Sequence, residues 1–179
     1  NISRTLPKNI GTVIVKHANP CGVSVNNNKI ESYKEALACD PISAFGGIVS
    51  CNFKIKKNVA IELNKLFLEV IIANGFDREA LKLLKKKKNL RLIDATNYSF
   101  NEKLKFISSN KELLVQTEDL KKFNNKDFKI VSKRKPNSKQ MKDLVFAFNI
   151  CGYVKSNAIV LAVNGTTAGI GSGQPSRVD

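Results

Sequence analysis

The sequence predicts an α/β fold, in which a sheet lies between layers of helices. Three observations point to it. Short β-branched or apolar runs recur along the first half of the chain, at residues 12–15, 48–51, 69–73 and 90–94. Amphipathic helical segments separate most of these runs, and an Asn-Gly pair near the C-terminus predicts one antiparallel hairpin. With 179 residues, 42% of them hydrophobic and 25% charged, the chain is long enough for one globular domain.

The first strand, at residues 12–15, is predicted to be buried and to end in a turn. Pro20 and Gly22 indicate this turn, and Asn19 is expected to be extended because it precedes a proline. Further along, Asp77 is the predicted N-cap of a helix. The other elements predicted for this half are a helix at 30–39, a strand at 48–51, a helix at 58–67, a strand at 69–73, a helix at 78–87 and a strand at 90–94.

The second half is predicted to hold a strand at 113–117 and a helix at 138–150. Between them, residues 121–137 are the most polar stretch and are expected to form a surface loop. Two strands at 157–163 and 166–170 are joined by Asn164-Gly165, a pair typical of a two-residue hairpin turn.

The chain is strongly basic, with 30 Lys and Arg against 15 Asp and Glu, which gives a formal net charge of +15. A charge of this size is typical of proteins that bind nucleic acid or another polyanion. However, the lysines are spread along polar segments apart from a cluster at 85–88, and the aromatic residues do not alternate with them as a stacking surface requires. Two interpretations of the charge therefore stay open: the lysines are solvated on helix faces, or they bind an anionic partner.

The four cysteines, the single histidine and the hydropathy exclude several classes of protein. Cys21, Cys39, Cys51 and Cys151 form no CxxC pair, so neither a zinc site nor a disulfide framework is expected, and the thiols are predicted to be reduced. The longest apolar run, 158–163, is far shorter than the roughly 20 residues of a membrane span. No signal peptide is visible, and we expect a cytoplasmic protein. Both ends of the sequence look cut, so a fragment is expected.

His17 is the first candidate for chemistry. It follows a buried strand and stands beside Lys16, and strand ends are where ligands bind in α/β proteins. A histidine is suited to general base catalysis near neutral pH. The alternative is a histidine that makes structural hydrogen bonds in a turn. Gly46 and Gly47 would allow backbone N–H groups to approach a ligand, or they serve packing alone.

The segment Gly169-Ile170-Gly171-Ser172-Gly173 looks like a GxGxxG motif, but it lies in and after a predicted hairpin rather than between a parallel strand and a helix. We therefore reject a Rossmann dinucleotide site. Ser176-Arg177 follows this segment, and an Arg at a helix start would favour a phosphate or carboxylate. The predicted hairpin could bring Asn157 close to Arg177.

Four segments occur together, in this order, in one known family. They are Lys16-His17-Ala18-Asn19-Pro20-Cys21-Gly22, Asp40-Pro41-Ile42-Ser43-Ala44-Phe45-Gly46-Gly47, Lys155-Ser156-Asn157-Ala158-Ile159-Val160, and GIGSGQPSRVD at residues 169–179. Over nearly its whole length the chain resembles the transformylase domain of the bifunctional family that joins 5-aminoimidazole-4-carboxamide ribonucleotide (AICAR) formyltransferase to IMP cyclohydrolase.

The resemblance implies a three-layer α/β/α, cytidine deaminase-like fold without zinc. It implies transfer of a formyl group from 10-formyltetrahydrofolate to the 5-amino group of AICAR in purine biosynthesis, with ring closure to IMP elsewhere in the full-length protein. A monovalent cation such as K+ near residues 151–157 stays open. The implied partners are AICAR and a reduced folate, in a homodimer with active sites at the interface, and neither nucleic acid nor a membrane.

The resemblance also assigns roles to residues. Lys16 and His17 match the catalytic pair of the family, with His17 as the base and Lys16 stabilising an oxyanion or protonating the departing folate nitrogen. Phe45 and Gly46 match the segment beside the AICAR ring and ribose, and Glu69 matches an acidic position for ribose hydroxyls. Asn157 and Arg177 match residues that contact AICAR and the folate.

By the same resemblance, residues 1–179 are a partial transformylase domain. The cyclohydrolase domain and the C-terminal part of the transformylase domain are absent from this sequence, and we expect the fragment to be inactive alone. Two alternatives stay open: a basic domain that binds a polyanion or nucleic acid, and a relative that keeps the fold without the chemistry.

Overall fold

A seven-stranded mixed sheet forms the centre of the computed structural model, which describes residues 1–98, 104–119 and 121–176. The strands lie in the order β5-β4-β3-β1-β2-β9-β8. The pairs β3/β4 and β4/β5 are parallel and the other four are antiparallel. The bounds of the strands are β1 Gly11–Lys16, β2 Asn19–Val25, β3 Gly47–Cys51, β4 Leu68–Ala73, β5 Arg91–Asp94, β6 Leu104–Ser109, β7 Glu112–Thr117, β8 Ile159–Val163 and β9 Thr166–Gly171.

Helices cover both faces of this sheet, because alternate residues of the strands point to opposite sides. The bounds of the helices are α1 Ile2–Thr5, α2 Lys29–Cys39, α3 Lys57–Asn64, α4 Arg78–Leu84 and α5 Ser138–Cys151. On one face, Ile14 and Val49 pack in the larger apolar core with residues of α2, α3 and α4. On the other face, Val13 and Val23 pack with Ile150 of α5. The predicted three-layer α/β/α fold is confirmed.

Most predicted elements are confirmed, with small shifts at their ends. The helix predicted at 58–67 ends at Asn64, and Lys65 caps it through a bond from its N–H to the Glu62 carbonyl. Phe67 therefore lies outside the helix, just before β4. Asp77 caps α4 as predicted, since its side chain accepts a hydrogen bond from the Ala80 N–H.

The largest departure from the prediction concerns β2. The prediction of a turn at Pro20 and Gly22 is wrong, because both residues lie in this strand. The chain reverses earlier, at His17 and Ala18, which are not typical turn residues. β6 was also not predicted, and it forms a separate two-stranded sheet with β7.

The C-terminal hairpin confirms the prediction from Asn164-Gly165. Both residues have left-handed backbone, with φ of 55° and 72°, as a two-residue hairpin turn between twisted strands requires. Gly169 and Gly171 lie within β9 of this antiparallel hairpin, which confirms that the glycine-rich segment does not have the context of a Rossmann site. β8 begins at Ile159 rather than at residue 157.

Candidate active site

The turn between β1 and β2 carries the candidate base, His17. The ladder pairs Lys16 with Asn19, so that only His17 and Ala18 lie between the two strands. Both have left-handed backbone, with φ of 49° and 65°. This conformation is uncommon for residues other than glycine, and histidine is among those that tolerate it better. The two strands therefore hold His17 at the exposed tip of a strained turn.

The residues after this turn are held tightly against α2. The register shifts between Ile14 and Val15, which pair with Gly22 and Pro20, so Cys21 is the extra residue of a bulge. A Cβ on Gly22 would lie 1.8 Å from the carbonyl oxygen of Ala36. Gly22 is therefore needed for close packing of β2 on α2 and not for a turn.

The side chain of Lys16 is fixed by the turn before β3. Its Nζ donates a hydrogen bond to the carbonyl oxygen of Phe45 at 2.7 Å. Gly46 follows with a φ of +65°, and a Cβ there would lie 2.9 Å from Lys16 Nζ. The left-handed backbone thus favours glycine at position 46, and any larger residue there would push the Lys16 ammonium from its present position.

Lys16 and His17 line one cavity of about 450 Å³. It lies between the β1–β2 turn, the C-terminal end of α2 and the end of β9. The residues lining this cavity are Lys16, His17, Asn19, Pro20, Cys21, Cys39, Asp40, Ser43, Gly169, Ile170 and Ser172.

The pKa values of the titratable groups Asp40 and Cys21, which both line this cavity, are shifted in opposite directions. Hydrogen bonds from the hydroxyl and the backbone N–H of Ser43 hold the pKa of the Asp40 carboxyl below its usual value. Burial, together with the nearby Asp40 carboxylate, raises the pKa of the Cys21 thiol to about 11. The cavity therefore presents an ammonium, an imidazole and a carboxylate, while the Cys21 thiol stays protonated near neutral pH.

Asn157 lies at a second cavity, of about 490 Å³, which is lined also by Ser156 and Gln174. The structure does not bring Asn157 into the cavity of Lys16 and His17. The two sites are linked by Asn19, whose side-chain oxygen accepts a hydrogen bond from the Lys155 N–H at 3.1 Å.

Comparison with known proteins decides the family. A sequence model of the AICARFT/IMPCHase bienzyme family matches residues 2–179. The chain is 46% identical over 172 residues to the bifunctional purine biosynthesis protein PurH of Rhodospirillum rubrum. It is 47% identical over 169 residues to PurH of Buchnera aphidicola and 44% identical over 183 residues to PurH of Agrobacterium fabrum. The chain belongs to the AICARFT/IMPCHase bienzyme family.

The chain corresponds to one part of these bienzyme proteins. The three alignments cover 93%, 93% and 99% of the chain, but only 32%, 32% and 34% of the relatives. The chain therefore spans about a third of the length of the PurH proteins that it matches.

Of the site residues expected from the resemblance to this bienzyme family, the structure brings Lys16 together with His17, Phe45 and Gly46. Glu69 is exposed. It follows Leu68, which pairs with Gly47 directly after the turn of Phe45 and Gly46. The remaining residue, Arg177, lies outside the described residues.

Two residues that sequence reasoning did not assign also belong to this site. Asn19 connects the turn of His17 to the segment of Asn157. Phe67 accepts a hydrogen bond from the Gly46 N–H at 2.8 Å through its carbonyl oxygen, and its ring lies 5.2 Å from that of Phe45. Asn19 stands inside the Lys16 to Gly22 motif and could have been found there. Phe67 carried no such signal, because its apolar side chain fitted the predicted helix.

Within the described ranges, no cluster of three or more His, Cys, Asp or Glu side chains is arranged to hold a metal ion. None of the helices described is both long and apolar enough to cross a membrane.

Proposed function

We propose that the full-length protein containing this chain is an AICAR transformylase of purine biosynthesis. It would transfer the formyl group of 10-formyltetrahydrofolate to the 5-amino group of AICAR, giving formyl-AICAR and tetrahydrofolate. The observation that carries this proposal is the strained His17 turn beside the fixed ammonium of Lys16, at a cavity of a chain in the bienzyme family.

His17 is proposed as the general base. The amine of AICAR is a weak nucleophile, because its lone pair is delocalised into the imidazole ring and its carboxamide. As the nitrogen bonds to the formyl carbon it must lose a proton, and an imidazole in the cavity accepts that proton. The exposed position of His17 at the tip of the turn leaves its ring free to reach a bound substrate.

Lys16 is proposed to act on the other side of the same carbon. Its ammonium has three N–H donors, and the bond to the Phe45 carbonyl uses one of them. The remaining two can stabilise the oxyanion that forms at the formyl oxygen. Alternatively, one of them protonates the folate nitrogen as its bond to the formyl carbon breaks. The position of the ammonium is compatible with both roles.

The other residues of the site are proposed to bind the substrates. Phe45 and Gly46 would lie beside the AICAR ring and ribose, and the Glu69 carboxylate would accept hydrogen bonds from ribose hydroxyls. Asn157 and Arg177 would contact AICAR and the folate. We further propose that the full-length protein is a cytoplasmic homodimer that also cyclises formyl-AICAR to IMP.

A monovalent cation such as K+ is proposed for the second cavity. Ser156, Asn157 and Gln174 line it and carry side-chain oxygens, the ligand type that hard cations prefer. Replacing K+ by tetramethylammonium should then lower the rate of formyl transfer.

The test of the base is a comparison of His17→Asn and His17→Ala in the full-length protein. Asparagine tolerates left-handed backbone, so His17→Asn removes the imidazole while keeping the turn. Both variants are expected to lower kcat for formyl transfer by roughly 10²- to 10⁴-fold, with cyclohydrolase activity unchanged. Asn110→Ala is the matched control, because Asn110 also has positive φ, of 50°, in a turn away from the site. A rate for His17→Asn equal to wild type would contradict the proposal.

A second candidate function, binding of a polyanion, is favoured by the charge of one segment. Residues 121–142 contain nine Lys or Arg and one Asp. Phe123, Phe128 and Phe148 pack together and anchor this segment on α5. Binding to duplex DNA that weakens steeply with salt would support this function, and an active transformylase without such binding would exclude it.

A further inference from the structure

We propose that Phe67 is a positioning residue for Lys16, acting through the turn of Phe45 and Gly46. This inference rests on the proposed function, since it explains how the ammonium is held for formyl transfer. Phe67 lies between α3 and β4 and is 46% exposed. Burial in the core therefore does not explain a large aromatic side chain at this position.

The backbone of Phe67 closes the turn that carries the acceptor of Lys16. The Gly46 N–H donates to the Phe67 carbonyl at 2.8 Å, and the Gly47 N–H donates to the Ala44 carbonyl at 3.0 Å. The first bond is made by the N–H of the peptide between Phe45 and Gly46, and the second holds the next residue, so that together they fix the orientation of this peptide. The carbonyl of that same peptide accepts the hydrogen bond from Lys16 Nζ.

The ring of Phe67 supports the same peptide from the side. Its centroid is 5.2 Å from that of Phe45, with the two planes tilted by 41°, a favourable arrangement for an aromatic pair. A Cβ on Gly46 would lie 3.5 Å from Phe67 Cε1 and 2.9 Å from Lys16 Nζ. The ring edge and the ammonium thus approach the same side of Gly46.

Lys16 has a long flexible side chain, and fixing it costs conformational entropy. Among the described residues, the Lys16 ammonium donates a hydrogen bond to the Phe45 carbonyl. The position of the ammonium therefore depends on how firmly that carbonyl is held. Phe45 is 60% exposed and packs against Phe67. Removing the Phe67 ring takes away the side-chain contact that supports Phe45, while the backbone bonds of Gly46 and Gly47 stay. The Phe45 carbonyl is then held less firmly, and the ammonium loses part of its fixed position without losing its charge.

The kinetic test compares Phe67→Ala, Phe67→Leu and Phe67→Tyr in the full-length protein. Phe67→Ala is expected to lower kcat for formyl transfer at least tenfold, with KM for AICAR changed less than twofold. Phe67→Tyr keeps the ring and should stay within twofold of wild type, and Phe67→Leu should fall between. Ile61→Ala is the matched control, because Ile61 is a similarly exposed apolar residue on the neighbouring helix α3.

A double-mutant cycle separates positioning from general packing. If Phe67 acts through Lys16, then Phe67→Ala should lower kcat no further in a Lys16→Gln background. A loss of equal size in both backgrounds would overturn the proposal. So would a change in kcat below twofold for Phe67→Ala alone.

A chemical measurement distinguishes failure of this inference from failure of the proposed function. The rate of Lys16 acetylation by N-hydroxysuccinimide acetate is followed by peptide mass mapping, with Lys65 as the internal reference. In Phe67→Ala the relative rate at Lys16 should rise at least threefold, whether or not the wild-type protein transfers formyl groups. An unchanged rate would overturn the positioning role, whereas inactivity of the wild-type protein would overturn the proposed function alone.

Discussion

The carboxylate of Glu35 accepts a hydrogen bond from the hydroxyl of Thr166 at 3.1 Å, across 131 positions of sequence. It also accepts bonds from the Ser24 hydroxyl at 2.7 Å and the Asn26 amide at 2.9 Å. The ladder between β2 and β9 consists of the single pair Ser24 and Thr166. The carboxylate on α2 therefore helps to join the C-terminal hairpin to the rest of the sheet, together with the Thr167 hydroxyl, which bonds to the backbone of Val23, and the bond from the Val25 N–H to the Gly165 carbonyl.

Removing this carboxylate should loosen the C-terminal hairpin. Glu35→Ala removes the shared acceptor of these three groups, and only the Ser24 and Thr166 hydroxyls, which lie 2.8 Å apart, can still bond to each other. We expect the free energy of unfolding to fall by about 2 kcal/mol. Amide hydrogen exchange should accelerate most in β8 and β9. Glu31→Ala is the control, since Glu31 on the same helix forms a surface ion pair with Lys34. Its loss should lower the free energy of unfolding by less than about 1 kcal/mol. Equal protection of the hairpin in both variants would contradict this role of Glu35.

Gly46→Ala should impair catalysis and stability together. Alanine at a φ of +65° costs about 1–2 kcal/mol, and its Cβ would displace the ammonium of Lys16 from 2.9 Å. We expect kcat for formyl transfer in the full-length protein to fall at least tenfold. Gly75→Ala is the matched control, because Gly75 also has positive φ, of 95°, but no contact with Lys16. It should lose comparable stability and keep its activity, and a similar loss of kcat in both would point to a general effect on folding.

How far the sequence predicts this site depends on how local each signal is. Asn164 and Gly165 determine their turn by their own backbone preferences, and that hairpin is predicted correctly. His17 tolerates a left-handed backbone but Ala18 does not favour it, so their conformation is imposed by the pairing of β1 with β2. The motif identifies His17 as a candidate base but not the turn that holds it.

Gly22 is a case in which the residue type suggests a local role that the residue does not have. Its type suggests a turn, whereas its role is contact with the Ala36 carbonyl, which lies on an element 14 positions further along the sequence. No local pattern contains this contact. Phe67 likewise continues an apolar helical pattern in the sequence, and only the pairing of β3 with β4 brings it to Phe45.

Gly22→Ala should therefore be severely destabilising. Its Cβ would lie 1.8 Å from the Ala36 carbonyl oxygen, so α2 must move away from the sheet. We expect a loss of about 3 kcal/mol or more in the free energy of unfolding, at the upper end of overpacking effects. Gly169→Ala provides the comparison, because a Cβ there meets no atom of the described residues within 4 Å. The free energies of unfolding of the two variants, measured by urea denaturation, should differ by about 2 kcal/mol or more. Equal midpoints would refute the packing role of Gly22.

The chain should lose stability at alkaline pH. Burial raises the pKa of the Cys51 thiol to about 12 and, with the nearby Cys51 and Glu62, that of the Tyr33 hydroxyl to about 12. The unfolded chain releases these protons near pH 9 and 10, before the folded chain does. Stability is therefore retained below pH 9 and falls as the pH rises toward 12, by about 1.4 kcal/mol per pH unit for each group.

Tyr33→Phe isolates one of these two groups. The Tyr33 hydroxyl is buried and has no hydrogen-bond partner among the described residues, so its removal should raise the free energy of unfolding at pH 7 by about 1 kcal/mol. The loss of stability above pH 10 should also become shallower. Tyr153→Phe is the control, because Tyr153 is exposed and should change neither value. A steeper alkaline loss in Tyr33→Phe would contradict the assignment.

The β6–β7 hairpin should promote self-association of the isolated 179-residue chain. Phe106 pairs with Val115, and Leu104 and Leu113 lie two positions away on the same face. Both strands are exposed throughout and pair with no other strand in the described part of the chain. An apolar face of this kind favours association in water. Val115→Lys should therefore reduce binding of a hydrophobic dye and lower the apparent mass in sedimentation. Asp119→Asn raises the net charge by the same amount outside the two strands, and an equal reduction by this variant would show that net charge, and not the apolar face, controls association.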